Sequence, residues 1–219
     1  MARMDSTLHT IGTPPPKRKV SIRTSSTELQ HLFIAWIAIA FAFAYVIRLH
    51  GSTLQERFII SLFTVGVGFL LHELAHKVVA QRYNLWAEFR MSSTMLMLAV
   101  GLAYLWGVLL AAPGAVYISG SYITGEQNGR IAAAGPITNV FLATIFLLIS
   151  TQSTLLNGFG EYGWYVIFLG VQINLWLATF NMLPLSVLDG RKVFAWSKPA
   201  FAGVFLLIIL MWIGAGAVL

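Results

Sequence analysis

Long apolar runs separated by short charged links set the pattern of this chain. Residues 32–47 carry no charge and are closed by Arg48, a polar link occupies residues 51–57, and residues 58–83 resume the apolar character. Residues 91–125 are uncharged over 35 positions, too many for one span, and Pro113-Gly114 breaks them. That break predicts a helix-like piece over residues 91–112 and a β-prone piece over residues 115–119. Runs at 131–151, 162–183 and 199–219 complete the series, the last opening on Pro199, which suits a first helical position. A hydrocarbon core of about 30 Å takes about 20 apolar residues as helix. The pattern therefore predicts an all-α polytopic membrane protein of five to six transmembrane helices, with a re-entrant helix/strand element between the second helix and the next core helix.

Composition supports a bilayer and removes several chemistries. Hydrophobic residues make up 58% and charged residues 10% of the 219, far from the balance of soluble domains. There is no cysteine, which excludes a disulfide framework, thiolate metal ligands and a cysteine nucleophile. Any metal must be held by His and carboxylates. The net charge of +6 comes from basic residues at the ends of apolar runs, where orientation signals belong, so no nucleic-acid partner is expected. Arg3, Lys17, Arg18, Lys19 and Arg23 surround Pro14, Pro15 and Pro16 with little to bury, which reads as a flexible basic cytoplasmic tail over residues 1–30. Residues 31–219 read as a single membrane-embedded domain without internal repeats. The first run lacks a small-residue cleavage site and reads as a retained span.

The second apolar run holds His72-Glu73-Leu74-Ala75-His76, the pattern H-E-x-x-H. Four residues on a helix return to about the same face, so two imidazoles can meet one ion. Glu73 lies on the adjoining face, where a carboxylate can act as general base toward a metal-activated water. Chance alone yields this pattern in roughly 3 of 1000 chains of such composition, so the pentapeptide needs support from its surroundings. It has that support: titratable groups inside a membrane helix are costly and are seldom kept without a partner. A catalytic zinc needs a third protein ligand. Asp189 ends an uncharged stretch of 27 residues, 162–188, within Asn181-Met-Leu-Pro184-Leu-Ser-Val-Leu188-Asp189-Gly190. An ordinary loop aspartate is the competing reading of that position.

HELAH on one apolar helix and N-x-x-P-x-x-x-L-D-G after a later one resemble the paired motifs of the site-2 protease family. Ala134-Gly135-Pro136-Ile137-Thr138-Asn139 in the intervening run resembles a third motif of that family. The likeness covers residues 58–194. It implies an intramembrane zinc metalloprotease, with one zinc per chain held by His72, His76 and Asp189, and with Glu73 as the catalytic base. It also implies that Asn181 lies near the metal and holds substrate or the developing oxyanion. Asn174, seven residues earlier and able to share its helix face, could support it. Asn139 and the Gly135-Pro136 pair read as a helix break or packing site, with Asn139 ranked below Asn181. An interhelical hydrogen bond competes for each asparagine. The expected partners are a membrane-protein substrate with a transmembrane segment, and the lipid bilayer.

A shared zinc places His72, His76 and Asp189 at one depth, so residues 91–125 must leave and return on the same side. With that return, 12 of the 14 basic residues fall on the side of the tail and only Arg48 and Arg57 opposite. The expected arrangement is multi-pass, with the N-terminus and the opening of the site cytoplasmic. Residues 114–120 are then a strand whose edge could pair with an unwound substrate. A divalent-metal transporter and an inactive protease-like scaffold are the alternatives. A transporter would show paired halves and several ligand sets along a path.

Overall fold

The computed structural model describes residues 22–109, 113–120, 122–152 and 160–219. Helix α1 (Ser26–Val46) starts where the Ser25 hydroxyl accepts the Glu28 amide. Helix α2 (Leu54–Arg82) begins with a reciprocal Thr53–Glu56 capping box and contains one π-helical turn at Leu62–Gly66. The Trp36 indole of α1 donates to the Leu62 carbonyl in that turn, 3.1 Å away, and a side chain at Gly66 would collide with the same indole. Asn84, with φ of 60°, ends α2, its left-handed conformation letting the Leu85 amide reach back to the Ala80 carbonyl.

Strand β1 (Trp86–Met91) follows, then helix α3 (Ser93–Trp106) and strand β2 (Gly114–Ser119), which pairs antiparallel with β1. Met91 faces Gly114 across the pair, so the chain comes back to the place it left. At 14 residues α3 is about 21 Å long, short of the hydrocarbon thickness. It is an excursion between two strands, and Gly107 ends it in the left-handed region at φ 66°. Helix α4 (Gly125–Ser150) carries a Thr124–Gln127 capping box and stays helical through Pro136. Helices α5 (Gly160–Asn181), α6 (Asp189–Trp196) and α7 (Lys198–Val218) complete the fold, the last capped by Ser197 with Pro199 in its first turn.

Among the described residues five helices, α1, α2, α4, α5 and α7, are long and apolar enough to cross a membrane and one small sheet is present, so the chain is a multi-pass helical membrane protein. Helix α4 packs on α2, α5 and α6 and forms the centre. One apolar cluster joins α1 and α2 to Phe89 and Ile173; a second joins α4, α5 and α6 to Ile208 of α7. Leu206, Leu207, Leu210 and Ile213 of α7 remain exposed, as suits a surface against lipid.

One expectation is corrected and one element is added. The flexible tail assigned to residues 1–30 reaches too far: Ser26–Gln30 is helical, and residues 23–25 are hydrogen-bonded to α2 and β1. A capping serine followed three residues later by a glutamate starts a helix there despite the low apolar content. Residues 1–21 lie outside the described residues. The sheet also has a strand that was not anticipated, β1, whose alternation of buried Ala87 and Phe89 with Glu88 and Arg90 is short and follows a long helix closely.

Candidate metal centre

One turn of α2 brings the Nε2 atoms of His72 and His76 to 3.0 Å from each other. The tight turn after α5 delivers Asp189 as the first residue of α6, with its Oδ2 at 3.3 Å from His72 Nε2 and 3.1 Å from His76 Nε2. All three side chains are buried. Gly190 makes that delivery possible, because a Cβ there would strike the backbone of Met182 and Leu183. Thus the aspartate-glycine pair has a mechanical reading: the glycine lets the start of α6 fold against the end of α5, and the aspartate then faces α2.

The outer ring nitrogens show what the inner ones carry. His72 Nδ1 lies 2.6 Å from the Asn139 side-chain oxygen, and His76 Nδ1 lies 2.7 Å from the Ile131 carbonyl. Both partners are acceptors, so each Nδ1 carries a proton and each ring, in its neutral form, turns an Nε2 lone pair inward. The orientation of Asn139 is itself set, because its amide nitrogen donates to the Gly68 carbonyl at 3.1 Å and to the Asn174 side-chain oxygen at 2.9 Å. Asn174 in turn donates to the Gly170 carbonyl at 2.8 Å. This chain of contacts starts on α5, crosses α4 and ends on the imidazole of α2.

Two lone pairs and a carboxylate oxygen therefore converge within 3.3 Å, an arrangement that repels itself unless a cation lies among them. A tetrahedral ion with bonds of about 2 Å keeps its ligand atoms about 3.3 Å apart, which the observed triangle matches to a few tenths of an ångström. Two imidazoles and one carboxylate form a zinc donor set with a position left for water or substrate. Outer-shell acceptors on both rings supply the orientation that such ligands need. Among the described residues this is one cluster able to hold a metal, and no second one is found.

Glu73, next to His72 and half-buried, accepts the Val116 amide of β2 at 3.1 Å through one carboxylate oxygen. The sequence-derived ligands and base thus come together on one side of α2. The three asparagines divide. Asn139 and Asn174 form the fully buried relay behind His72, whereas Asn181 is half-buried and its amide donates to Leu177 of its own helix at 2.9 Å. Two contributors had no prior role, and Gly135 proves to be a packing site and not a helix break. Gly135 lies against both rings, a Cβ there meeting each Nε2 at 2.5 Å; the Ile131 carbonyl orients His76; and Lys192 Nζ sits 3.7 Å from the second oxygen of Asp189. Only Gly135 left a trace in the sequence, as the glycine before Pro136. A backbone carbonyl leaves none.

No family model matches the chain, and no solved structure does. A protein of Methanocaldococcus jannaschii bearing the name "Putative zinc metalloprotease MJ0611" is 45% identical over 190 residues, 85% of this chain and 93% of that protein. The buried His72–His76–Asp189 triangle suits the metal in that name. This chain belongs to the same family as that zinc metalloprotease.

Proposed function

We propose that the protein is an intramembrane protease of the site-2 type, cleaving peptide bonds in or near the transmembrane segments of other proteins. The observation that carries this reading is a two-imidazole, one-carboxylate triangle buried among helices long enough to span a bilayer. His72, His76 and Asp189 would hold zinc, which when bound supplies Lewis-acid polarisation and a lowered water pKa. Glu73 takes the proton from the attacking water and passes it to the leaving amine. Asn181 lines the approach for substrate, and Asn139 and Asn174 hold His72 in place. The site opens to the cytoplasm, on the side of the N-terminus.

A helical substrate hides its peptide bonds, and a strand exposes them. The Phe89 and Val116 amides both point away from the β1–β2 ladder, to Glu28 and Glu73 respectively. Phe89 and Val116 are therefore a non-hydrogen-bonded pair, and the outer edge of β2 presents the Val116 amide to Glu73. An unwound substrate added to that edge lies alongside the zinc ligands. The test uses purified protein, a panel of membrane-spanning peptides, and mass mapping of products with and without chelator. Cleavage that stops on chelation and returns with zinc is the expected result. E73Q should keep its zinc and lose cleavage by at least 100-fold, within the range of a removed general base. Zinc flux into liposomes without cleavage of any peptide would mark a transporter instead.

A further inference from the structure

Beside the metal centre lies a second buried charged group that the proposed chemistry does not use. Lys77, adjacent to His76, puts its Nζ 2.6 Å from Glu28 Oε2 and 2.7 Å from the Thr24 hydroxyl. Lys77 is 1% and Glu28 0% exposed. Taking two charges out of water works against stability unless their remaining bonds are satisfied, and an apolar pair of similar size often serves as well or better. The geometry shows what an apolar pair could not do. Glu28 Oε1 accepts the Phe89 amide of β1 at 3.0 Å, so this carboxylate joins α1, the zinc helix and the sheet.

Phe89 stands directly opposite Val116, whose amide is held by Glu73. Glu73 and Lys77 are four residues apart and share a face of α2. Both outward amides of a single cross-strand pair are thus held by carboxylates referred to that face: Val116 by Glu73 itself, Phe89 by Glu28 through Lys77. Two points fix a strand pair in both depth and tilt. Nearby contacts tighten the same joint, since Gln81 donates to the Arg23 and Ala87 carbonyls and Ser25 donates to Glu88.

We infer that Glu28 and Lys77 are positioning residues that set the register of the β1–β2 sheet against the zinc helix, and through it the peptide bond that is cut. The inference rests on the proposed proteolysis and adds a determinant of its site. When Glu28 no longer holds Phe89, the sheet keeps its strands but tilts about Val116, and a substrate on the β2 edge meets the metal at neighbouring bonds.

The test compares the wild-type protein, E28Q, K77M and the swapped pair E28K/K77E. Each is assayed for zinc content, melting temperature, product masses with one membrane-spanning peptide, kcat and KM, and amide hydrogen exchange over residues 86–91 and 114–119. E28Q and K77M should keep zinc, exchange faster in both strands, cut at bonds shifted or spread by one or two residues, and lose about tenfold in kcat with KM changed less than threefold. The swap rejoins the charges but sets an ammonium at residue 28, which cannot accept the Phe89 amide. It should regain melting temperature without regaining the single cleavage site. A swap that restores the wild-type product, or an E28Q protein that cuts the wild-type bond at the wild-type rate, overturns the inference. Strand exchange unchanged in E28Q and K77M overturns it as well. Absence of any chelator-sensitive cleavage by the wild type removes the protease reading instead; faster strand exchange in E28Q and K77M would then still support the joint between sheet and helix.

Discussion

Gly135 shows how a single absent atom can decide whether a metal fits. Its backbone faces both imidazoles, and an added Cβ would sit 2.5 Å from each Nε2, in the space on which the three ligand atoms converge. G135A should therefore fold, since the helix already runs through this position, and should bind zinc at least tenfold more weakly by metal analysis after dialysis. Wild-type zinc content in G135A would contradict the placement of the site. At this scale the sequence was readable where spacing is short. His72, Glu73 and His76 are a helical repeat, and Asp189-Gly190 stands out because an acid ends a long uncharged run. The asparagines were harder to rank. Asn139 is separated from His72 by 67 positions, and only the packed structure shows that its oxygen faces that ring. Asn181, carried by a more conspicuous motif, bonds to its own helix.

Among the elements, the long helices were readable because 20 apolar residues have few places to go, and of the two strands only β2 was. β1 covers Trp86–Met91 directly behind a helix, and its period of two runs over only six residues, with Arg90 and Glu88 paired on the face opposite Ala87 and Phe89. Reading residues 86–91 for alternation would have found buried Ala87 and Phe89 between them. β2 is legible as β-prone residues after Pro113-Gly114, whereas the uncharged run 91–112 overstates α3, which covers Ser93–Trp106, because hydropathy alone does not report length in the fold. The ladder gives a sharp test of the substrate edge. Val116 and Ile118 turn their amides outward, whereas Tyr117 lies between them and pairs with Glu88. I118P should remove an outward donor while sparing the ladder to β1, and should lower cleavage about tenfold or more with zinc content unchanged. Cleavage at the wild-type rate would exclude pairing along that edge.

For the whole molecule, the metal and the chain's path constrain each other. α2 ends near the site, α4 begins near it and passes His76, Gly135 and Asn139 on its way across, and α5 returns to present Asp189. That circuit closes only because β1, α3 and β2 make no net crossing. On the proposed topology Gly51 and Gln152 are expected on one face of the membrane, and Asn128 and Arg191 on the other, and all four are exposed. The chain has no cysteine, so single cysteines can be read without background. In sealed inverted vesicles, N128C and R191C should react with a membrane-impermeant maleimide, whereas G51C and Q152C should react only after permeabilisation; intact cells should give the reverse. The basic residues agree with this polarity, since Arg48 and Arg57 flank the link that holds Gly51 and the others lie at the opposite ends of the spans or in the tail. Labelling of N128C and Q152C from the same side would mean that α4 does not cross. The three ligands could not then reach one ion by this route, and the proposed site would fall with the topology.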